Sequence, residues 1–469
     1  ERWRGLFRAS VADSAVFGIK KSGRMNLYGK NLEFKRRNRS NPMVVITLMF
    51  LCVMSLFVLK AVLTDELVSP WLPTAVPTRE AASFALEGES QFRAGNLERA
   101  IEAYGSAERL ESDNPEYLWK QGRALAYLTA SQTTDAEKAE TLQRAVNLME
   151  EGLVKYPEDS NVYAVLALVY LWYADADLCG PDLVEEYAAK AEDNIRRAVD
   201  YDSRNALAYA IYSEILLDQA NYARAEQMLS QALEYGSENG ADMFDVYRVQ
   251  GILLESYGQY RSAIDAYTRA LNLSPNMTFL QIRIGVNWRQ VGKYDEALSM
   301  FARAARINDQ LGVVDPLPYL AIGNTYSQKG EFYAAGLNIK KAIGINPYNA
   351  DVYGRLGVNY YKARNYEAAI EALKCATYGC GAEESCAVRE CDDPGNPLIE
   401  IAGLPLSGSS VVYYFSYVGA LAYMHTNVNH YCDDAVRTAK EISAMFGSDD
   451  TVMYIVRDAQ KICASYGIQ

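Results

Sequence analysis

The apolar and polar positions of the chain repeat every 34 residues over its central part, from Met243 to Ala376. Each copy carries a glycine, a large side chain three positions later, an aromatic residue six positions beyond that, and an alanine three further on. The third copy follows an insertion of four residues. A fixed period of this length predicts a stack of similar supersecondary units. The copies are Gly251, Leu254, Tyr260, Ala263; Gly285, Trp288, Tyr294, Ala297; Gly323, Tyr326, Phe332, Ala335; and Gly357, Tyr360, Tyr366, Ala369.

Each unit is expected to be a pair of helices. The glycine falls midway along the first helix, where a neighbouring helix approaches too closely for a longer side chain. The alanine has the same role on the second helix, and the large residues fill the remaining volume. Pro275 and Pro347 fall at matching ends of units, where the second helix must stop. The pattern therefore predicts an all-α fold.

These residues resemble the tetratricopeptide repeat (TPR), in which small, aromatic and proline positions follow in the same order. Weaker copies can be placed upstream, from Gly88, and a degenerate copy follows on Gly419, so that the resemblance covers roughly four fifths of the chain. It implies a right-handed α-solenoid of about nine TPR-like helical hairpins plus a capping helix. We expect the solenoid at residues 79–376, and the final hairpin with the capping helix at residues 410–469.

An unbroken apolar run occupies residues 43–59, begins after Pro42 and continues past Lys60. About 20 apolar residues span a bilayer, and a lysine near the end can reach the headgroups. We therefore predict one transmembrane helix at residues 42–63, with residues 43–63 in the lipid bilayer. One alternative is a buried helix of a soluble domain, although nothing nearby has a pattern that would bury it. The other is a cleaved signal peptide, although more than forty residues precede the run.

The charges of the chain divide at this run. Residues 1–41 carry eleven Lys or Arg against three acids, whereas the residues beyond the helix, with Lys60 set aside, carry 34 basic and 56 acidic residues. Since the side with the excess of Lys and Arg stays in the cytoplasm, we predict a single-pass plasma-membrane protein with a cytoplasmic N-terminus and extracytoplasmic repeats. The basic segment is interpreted as an amphipathic helix on anionic lipid or as a plain topogenic tail. Residues 64–78, with three prolines, are expected to form an extended stalk.

Seven of the eight cysteines lie beyond the apolar run, where the predicted topology permits disulfides. Cys432 and Cys463 flank a turn almost symmetrically, so that two antiparallel helices would bring them together and staple the last hairpin. Cys179 is left over, either as a free thiol or paired with a cysteine of another molecule.

The other four cysteines are symmetric about Glu383. A folded-back loop would pair Cys375 with Cys391 and Cys380 with Cys386, and the other two connectivities stay open. A zinc site is the alternative, although the spacing contains no CxxC pair. These cysteines begin a Cys-rich insertion at residues 377–409, which is interpreted as a binding element or as a cover for the apolar end of the stack.

The sequence contains no set of residues suited to catalysis. Its two histidines, His425 and His430, are five residues apart, which does not match the i, i+4 spacing of a helical metal pair. We found no phosphate-binding glycine loop, nucleophile elbow or HExxH motif. A repeat region with a net charge of −22 repels nucleic acid and favours basic partners. We therefore expect no enzymatic activity, no metal, no cofactor and no nucleic-acid partner.

In the tetratricopeptide family the first helices of successive units line a concave groove that holds peptides. Some members hold a C-terminal carboxylate there with a set of Lys and Asn, but here Arg248 is followed by Ile252, Ile282 and Val286, so that set is absent. What remains is an apolar strip edged with mixed charge, which suits an amphipathic segment. The resemblance implies a protein-binding groove formed by Arg248, Ile252, Phe279, Ile282, Val286, Arg289, Leu317, Leu320, Asn324, Val358 and Tyr361.

These features together predict a membrane-anchored extracytoplasmic scaffold that binds other proteins as an accessory or assembly subunit of a membrane or envelope complex. The alternative is a structural surface protein that self-associates as a homo-oligomer into an array or filament. A third hypothesis is an auxiliary subunit of a separate catalytic chain. For the groove itself, the open alternative is that the solenoid's own insertions or its superhelical closure occupy it.

Overall fold

The apolar run near the start of the chain forms one helix, α1 (Pro42–Leu63). The computed structural model describes residues 41–63, 79–239, 242–391 and 398–468, and it contains two units, Glu1–Thr78 and Arg79–Gln469. Among the described residues, α1 is the one helix long and apolar enough to cross a membrane, and its side chains up to Lys60 are exposed. The predicted stalk and, apart from Asn41, the basic segment lie outside the described residues.

The second unit is a succession of antiparallel helical hairpins. Its described residues contain nine hairpins and a last helix, and no strand beyond one isolated bridge between Cys380 and Ile401. The predicted all-α solenoid with its capping helix is thereby confirmed. The hairpins are α2 (Ala81–Arg93) with α3 (Leu97–Leu110), α4 (Pro115–Leu128) with α5 (Asp135–Lys155), α6 (Ser160–Tyr173) with α8 (Val184–Tyr201), α9 (Ala206–Asp218) with α10 (Tyr222–Asn239), α11 (Phe244–Ser256) with α12 (Tyr260–Leu273), α13 (Thr278–Gln290) with α14 (Tyr294–Leu311), α15 (Leu317–Lys329) with α16 (Phe332–Ile345), α17 (Ala350–Lys362) with α18 (Tyr366–Thr377), and α20 (Val411–Met424) with α21 (Tyr431–Phe446). The additional helices are α7 (Ala176–Cys179), α19 (Ala382–Arg389) and the capping helix α22 (Asp450–Ser465).

Each repeat glycine makes room for a large side chain sixteen positions later, on the second helix of its hairpin. A Cβ atom on Gly88 would lie 2.7 Å from the ring of Tyr104, and one on Gly285 would lie 2.5 Å from the ring of Phe301. Real Cβ atoms do not approach other atoms this closely, so the interhelical distance depends on glycine at these positions. The same relation holds for Gly251 and Tyr267, Gly323 and Ile339, and Gly357 and Leu373.

The hairpin turns use backbone conformations that the sequence supplies. The first helices α11, α13 and α15 are followed by Gly258, Gly292 and Gly330, whose φ angles are +70°, +74° and +80°. This left-handed conformation ends a helix and favours glycine. Ala220 and Arg364 occupy the same turn after α9 and α17 with φ angles of +55° and +62°, so these two hairpins are closed at some conformational cost.

The disulfides of the insertion differ from the nested pairing that its symmetry suggested. The structure joins Cys375 to Cys380 and Cys386 to Cys391, with Cα atoms 4.6 and 5.2 Å apart. The physical reason is α19, because a folded-back loop needs two extended arms. Cys386 lies in the last turns of α19, and the backbone N–H of Cys391 donates to the carbonyl of Cys386.

The third disulfide joins Cys432 on α21 to Cys463 on α22, with Cα atoms 5.4 Å apart. It fastens the capping helix to the last hairpin, where Val452 and Val456 of α22 also pack into the terminal core. Cys179 is a half-buried free cysteine in the short helix α7. The predicted domain limits, including those of the insertion at 377–409, stay predictions.

Candidate protein-binding site

The candidate site lies on the first helices of the hairpins, α11, α13, α15 and α17, which we call the inner face. Among these helices α13 contacts α15, and α11 contacts the preceding first helix, α9. The second hairpin also reaches this surface, through side chains of α4 and of the connection between α4 and α5. The solenoid therefore closes on itself, and the inner face divides into a filled part and an open part.

The filled part contains a central ionic cluster, formed by Arg123, Tyr127, Glu214, Asp245 and Arg248. Asp245 of α11 is fully buried, and it accepts hydrogen bonds from Arg123 Nη1 at 3.0 Å and from the Tyr127 hydroxyl of α4. Arg248 donates to both carboxylate oxygens of Glu214, at 2.9 and 2.6 Å. Its Nε lies 3.5 Å from Asp245 Oδ1. The cluster thus joins the second, fourth and fifth hairpins through charges that are removed from water.

The electrostatics of the central ionic cluster hold its cations charged. Burial acts to lower the pKa of Arg123, but the carboxylates of Asp245 and Asp242 outweigh burial and raise that pKa. Burial opposes the charge of Arg248 as well, and Glu214 is the first of the anionic groups that raise its pKa. Because neither guanidinium can release a proton, the arrangement is suited to holding helices together rather than to proton transfer.

An aromatic layer covers the same region. The ring of Phe279 on α13 stacks on Tyr127, with centroids 5.4 Å apart and planes inclined by 10°. The rings of Trp172 and Phe244 pack edge-on against the ring of Tyr127, with centroid distances of 5.5 and 5.7 Å. Two predicted groove residues, Arg248 and Phe279, are therefore occupied by the chain itself.

The remaining predicted groove residues differ in accessibility. Val358 is buried in the terminal core, and Tyr361 is half-buried with its ring 5.8 Å from that of Tyr366. Leu317 is 43% exposed and Leu320 is half-buried. The half-buried residues along the rest of the inner face are Ile252, Ile282, Val286, Arg289 and Asn324.

A cavity of about 400 Å³ lies in the open part, between the α4–α5 connection and helices α15 to α17. Leu317 and Leu320 line one wall, and Gln132 lines the other. The amide of Asn346 donates to the Thr133 carbonyl at 3.0 Å and closes one end. The Oε1 atom of Gln132 is buried and has no hydrogen-bond partner in the described part of the chain. The cavity therefore offers an apolar wall to a ligand.

Three residues through which the second hairpin meets the inner face were not recognised from the sequence. They are Arg123, Tyr127 and Gln132. All three belong to the second hairpin, where the repeat pattern is weak. A local signal existed, since Arg123 interrupts an otherwise apolar face of α4, and a cation in such a position needs a buried partner. The partner lies 122 positions later in the chain, which no local pattern indicates.

The structure shows no metal-binding arrangement among the residues it describes. His425 is buried, and its Nδ1 accepts a hydrogen bond from the backbone N–H of Cys432 at 2.9 Å. His430 adopts a left-handed conformation immediately before α21. Both histidines thus lie where they support the last hairpin.

Comparisons with known proteins identify the repeat. The family model described as "Tetratricopeptide repeat" matches residues 86–141, and a second model with the same description matches residues 318–349. The photosystem I assembly protein Ycf3 of a Synechococcus species is 28% identical over 147 residues, which cover 29% of this chain and 84% of Ycf3.

Two further proteins are similar to parts of the chain. The BBSome complex member BBS4 of Bos taurus is 26% identical over 166 residues, which cover 35% of this chain and 30% of BBS4. The crystal structure of YrrB, a TPR protein with an unusual peptide-binding site, aligns with 42% of this chain and 92% of its own, at 24% identity and a TM-score of 0.30. The chain thus spans about a third of the length of BBS4.

One family match falls in the first two hairpins and the other in the seventh. Between them the structure repeats the same unit, with a small residue on the first helix against a large one on the second. Tetratricopeptide repeats bind other proteins or peptides and mediate assembly. The chain is therefore a tetratricopeptide repeat protein.

Proposed function

We propose that this protein is a membrane-anchored extracytoplasmic scaffold, which binds other polypeptides as an accessory or assembly subunit of a membrane complex. The hairpin array of the second unit, Arg79–Gln469, docks the partner, and α1 keeps the complex at the bilayer. The proposal includes no catalytic step, because the inner face presents ion pairs and aromatic packing in place of a nucleophile and its base.

Membrane anchoring is supported by α1, which has 22 residues and exposes apolar side chains on all sides. A soluble helix with this surface would be an aggregation site, whereas a bilayer solvates it. The excess of Lys and Arg before α1 favours a cytoplasmic N-terminus. The three disulfides of the hairpin array favour an oxidising compartment, which places the array on the side of the membrane opposite to the cytoplasm.

The observation that carries the docking proposal is the cavity beside Leu317 and Leu320. Arg248 and Phe279 of the inner face pack against Tyr127 of the chain's own second hairpin, whereas the cavity keeps an apolar wall and a 43% exposed leucine. A polypeptide strand can bury an apolar side chain against the leucines. The assembly role named for the cyanobacterial relative Ycf3 is a further support.

The test is the Leu317→Asp variant, because a charged carboxylate on the cavity wall opposes the docking of an apolar side chain. The full-length protein is solubilised from its native membrane in detergent, and co-purifying chains are identified by mass spectrometry. We expect discrete partner subunits with the wild type and their loss with Leu317→Asp. The control is Leu86→Asp, at a 72% exposed position on α2, which should retain the partners. Equal capture by Leu317→Asp and the wild type would contradict the docking site.

Self-association is the second candidate function, and an exposed apolar pair on α16 favours it. Tyr333 and Leu337 lie one turn apart and are 75% and 49% exposed. If this pair mediates contacts between copies, the wild type elutes as a homogeneous large assembly without foreign chains, and Leu337→Asp elutes as the monomer. Foreign subunits in the wild-type complex exclude this candidate as the main function.

A further inference from the structure

The Cys-rich insertion carries two disulfides of the same spacing in different surroundings. Cys375–Cys380 and Cys386–Cys391 each join cysteines that are five positions apart in the sequence. Because the two closed loops have the same length, they constrain the unfolded chain to the same extent. A difference in reactivity between the two bonds therefore comes from the folded structure around them.

Burial separates the two bonds. Cys375 and Cys380 are 1% and 7% exposed, and they belong to a buried cluster with apolar residues of α16, α17 and α18. Cys386 and Cys391 are both only half-buried. The disulfide between α21 and α22 is fully buried as well. Of the three disulfides, Cys386–Cys391 is thus the one whose two cysteines are both partly exposed, and access to the sulfur governs how fast a disulfide exchanges with a thiol.

The Cys386–Cys391 bond closes the C-terminal end of α19. The backbone N–H of Cys391 donates to the carbonyl of Cys386 at 3.2 Å, and that of Glu390 donates to the carbonyl of Ala387 at 3.2 Å. Between the two cysteines Glu390 has a φ angle of +56°, a left-handed conformation that costs free energy in any residue other than glycine. The covalent bond joins the two ends of this turn and therefore opposes its unwinding.

The closed end of α19 is attached to α16. Val388 is 6% exposed, and it belongs to the same buried cluster as Ile339 and Ile343 of α16. The carboxylate of Glu390 lies 2.5 Å from Lys340 Nζ, but the Glu390 side chain is 71% exposed, and an ion pair in water contributes little. The attachment of α19 to α16 therefore depends on the turn that presents Val388 to this cluster.

The pair is arranged as a substrate of thiol exchange rather than as its catalyst. Catalytic dithiols activate the attacking cysteine at a helix N-terminus or in a CxxC pair, where the pKa of its thiol is lowered. Cys386 lies in the C-terminal half of α19 and five positions before Cys391, so the helix gives its thiolate no such stabilisation. The attacking thiol must come from another molecule.

We propose that Cys386–Cys391 is a reversible thiol-exchange site, which an external dithiol opens while the two buried disulfides persist, and that opening releases the end of α19 from α16. A thiolate of the dithiol attacks one of the two sulfur atoms, the bond between Cys386 and Cys391 breaks, and the released sulfur takes up a proton. The second thiol of the reductant then attacks the mixed disulfide and frees the other cysteine, which also takes up a proton. The protein gains two electrons and two protons, and the dithiol leaves as a disulfide.

The test is timed reduction of the oxidised, full-length protein in detergent with dithiothreitol, without denaturant. Aliquots are quenched with an alkylating reagent, and mass spectrometry gives the labelled fraction of each cysteine. We expect Cys386 and Cys391 to be reduced at least about tenfold faster than the matched control pair Cys375 and Cys380, because access to the sulfur differs while the spacing is the same. Equal rates for the two pairs, or a Cys386–Cys391 bond that opens only in denaturant, would overturn the proposal.

Trypsin cleavage after Arg389 measures the release of α19. Arg389 is half-buried, and its Nε donates to the carbonyl of Ser385 at 3.2 Å. Selective reduction should accelerate this cleavage at least about fivefold, because a protease cuts the opened form of a segment. The double variant Cys386→Ser/Cys391→Ser should be cleaved at the faster rate without reductant. Cleavage after Arg364, an exposed residue in the turn after α17, is the reference and should not change. Unchanged cleavage after Arg389 in the reduced protein and in the double variant would contradict the release of α19.

A second probe distinguishes a protein dithiol from a small one. Thioredoxin whose resolving cysteine is replaced by serine cannot complete the exchange, so it remains joined to its substrate as a mixed disulfide. A mixed disulfide at Cys386 or Cys391 assigns the reductant to the protein class. Selective reduction by dithiothreitol without this adduct assigns it to small dithiols. An adduct at a cysteine of either buried pair would overturn the proposal.

Discussion

Buried carboxyl groups in this solenoid differ in whether another helix supplies a counter-charge. Asp245 lies within reach of the guanidinium groups of Arg123 and Arg248. Asp315, before α15, is 4% exposed, and among the described residues it accepts hydrogen bonds from two neutral groups, the amide of Asn308 and the backbone N–H of Leu317. Burial outweighs these two bonds and raises the pKa of Asp315 to about 6. The two positions therefore respond differently to pH and to neutral substitution.

Asp315 should make stability depend on pH in a defined window. Because its pKa is raised from 3.8 to about 6 in the folded protein, the native state binds this proton more tightly than the unfolded chain. Asp315 stabilises the folded protein fully at pH values below its pKa in the unfolded chain. This stabilisation is lost as the pH rises through the pKa that Asp315 has in the folded protein. Relative to Asp315→Asn, the wild type should lose about 3 kcal/mol of unfolding free energy between about pH 4 and about pH 7. Urea unfolding of both proteins at the two pH values measures the difference, and parallel profiles would contradict it.

Neutralising Asp245 should be far more damaging than neutralising a surface acid. Asp245→Asn leaves two buried guanidinium groups short of a counter-charge, and breaking such a pair costs about 3–5 kcal/mol. The control is Asp295→Asn, whose carboxylate is 87% exposed and pairs with Lys329. Such surface pairs contribute about 0–1 kcal/mol. Denaturant midpoints that fall by similar amounts in both variants would show that the central ionic cluster is not needed for stability.

At the scale of the element, the 34-residue unit is determined by contacts within one hairpin. The glycine of the first helix and the large residue of the second are sixteen positions apart, so both lie within one period. This explains why the sequence pattern alone predicted the number and type of hairpins. The weaker copies also fold as hairpins, since Gly122 faces Met149 in the second one, across a different spacing.

Two glycine substitutions separate packing from helix propensity. In Gly251→Ala the new Cβ collides with the buried ring of Tyr267, and overpacking of this kind costs about 1–3 kcal/mol. In Gly344→Ala, on α16, the new Cβ meets no atom within 4 Å. Alanine should therefore stabilise this helix by about 0.5–1 kcal/mol. Urea midpoints of the two variants should shift in opposite directions, and a gain in both would mean that the repeat glycines are not spacers.

At the scale of the whole molecule, the closure of the solenoid decides which inner side chains remain open. The hydrogen bond from Arg123 to Asp245 joins residues 122 positions apart, and that from Asn346 to Thr133 joins residues 213 apart. A partner cannot use Arg248 or Phe279 while these contacts hold. The accessible inner face therefore lies toward α15 and α17, where the docking proposal is located.

The proposed topology predicts how the thiols and the chain react in cells. With the repeats outside the cytoplasm, protease added to spheroplasts should digest the repeat unit while intact cytoplasmic proteins survive. After denaturation without reductant, alkylation should label the free cysteines Cys52 and Cys179 and spare the six paired cysteines, and reduction should expose those six as well. Protection from protease together with six alkylated thiols would place the repeats in the cytoplasm and contradict the proposal.

The sequence by itself determined the all-α class, the hairpin array, the capping helix and the apolar helix α1, because each depends on residues close together in the chain. The spacing from Gly251 to Ala369 suffices for the hairpins, since helix and hairpin contacts are local. Only the tertiary structure decided the inner face. Arg248 and Arg289 occupy similar surroundings in the sequence, yet Glu214 pairs with one and no described residue pairs with the other. Whether a buried charge finds a partner depends on how distant hairpins meet, and a periodic pattern carries no information on that.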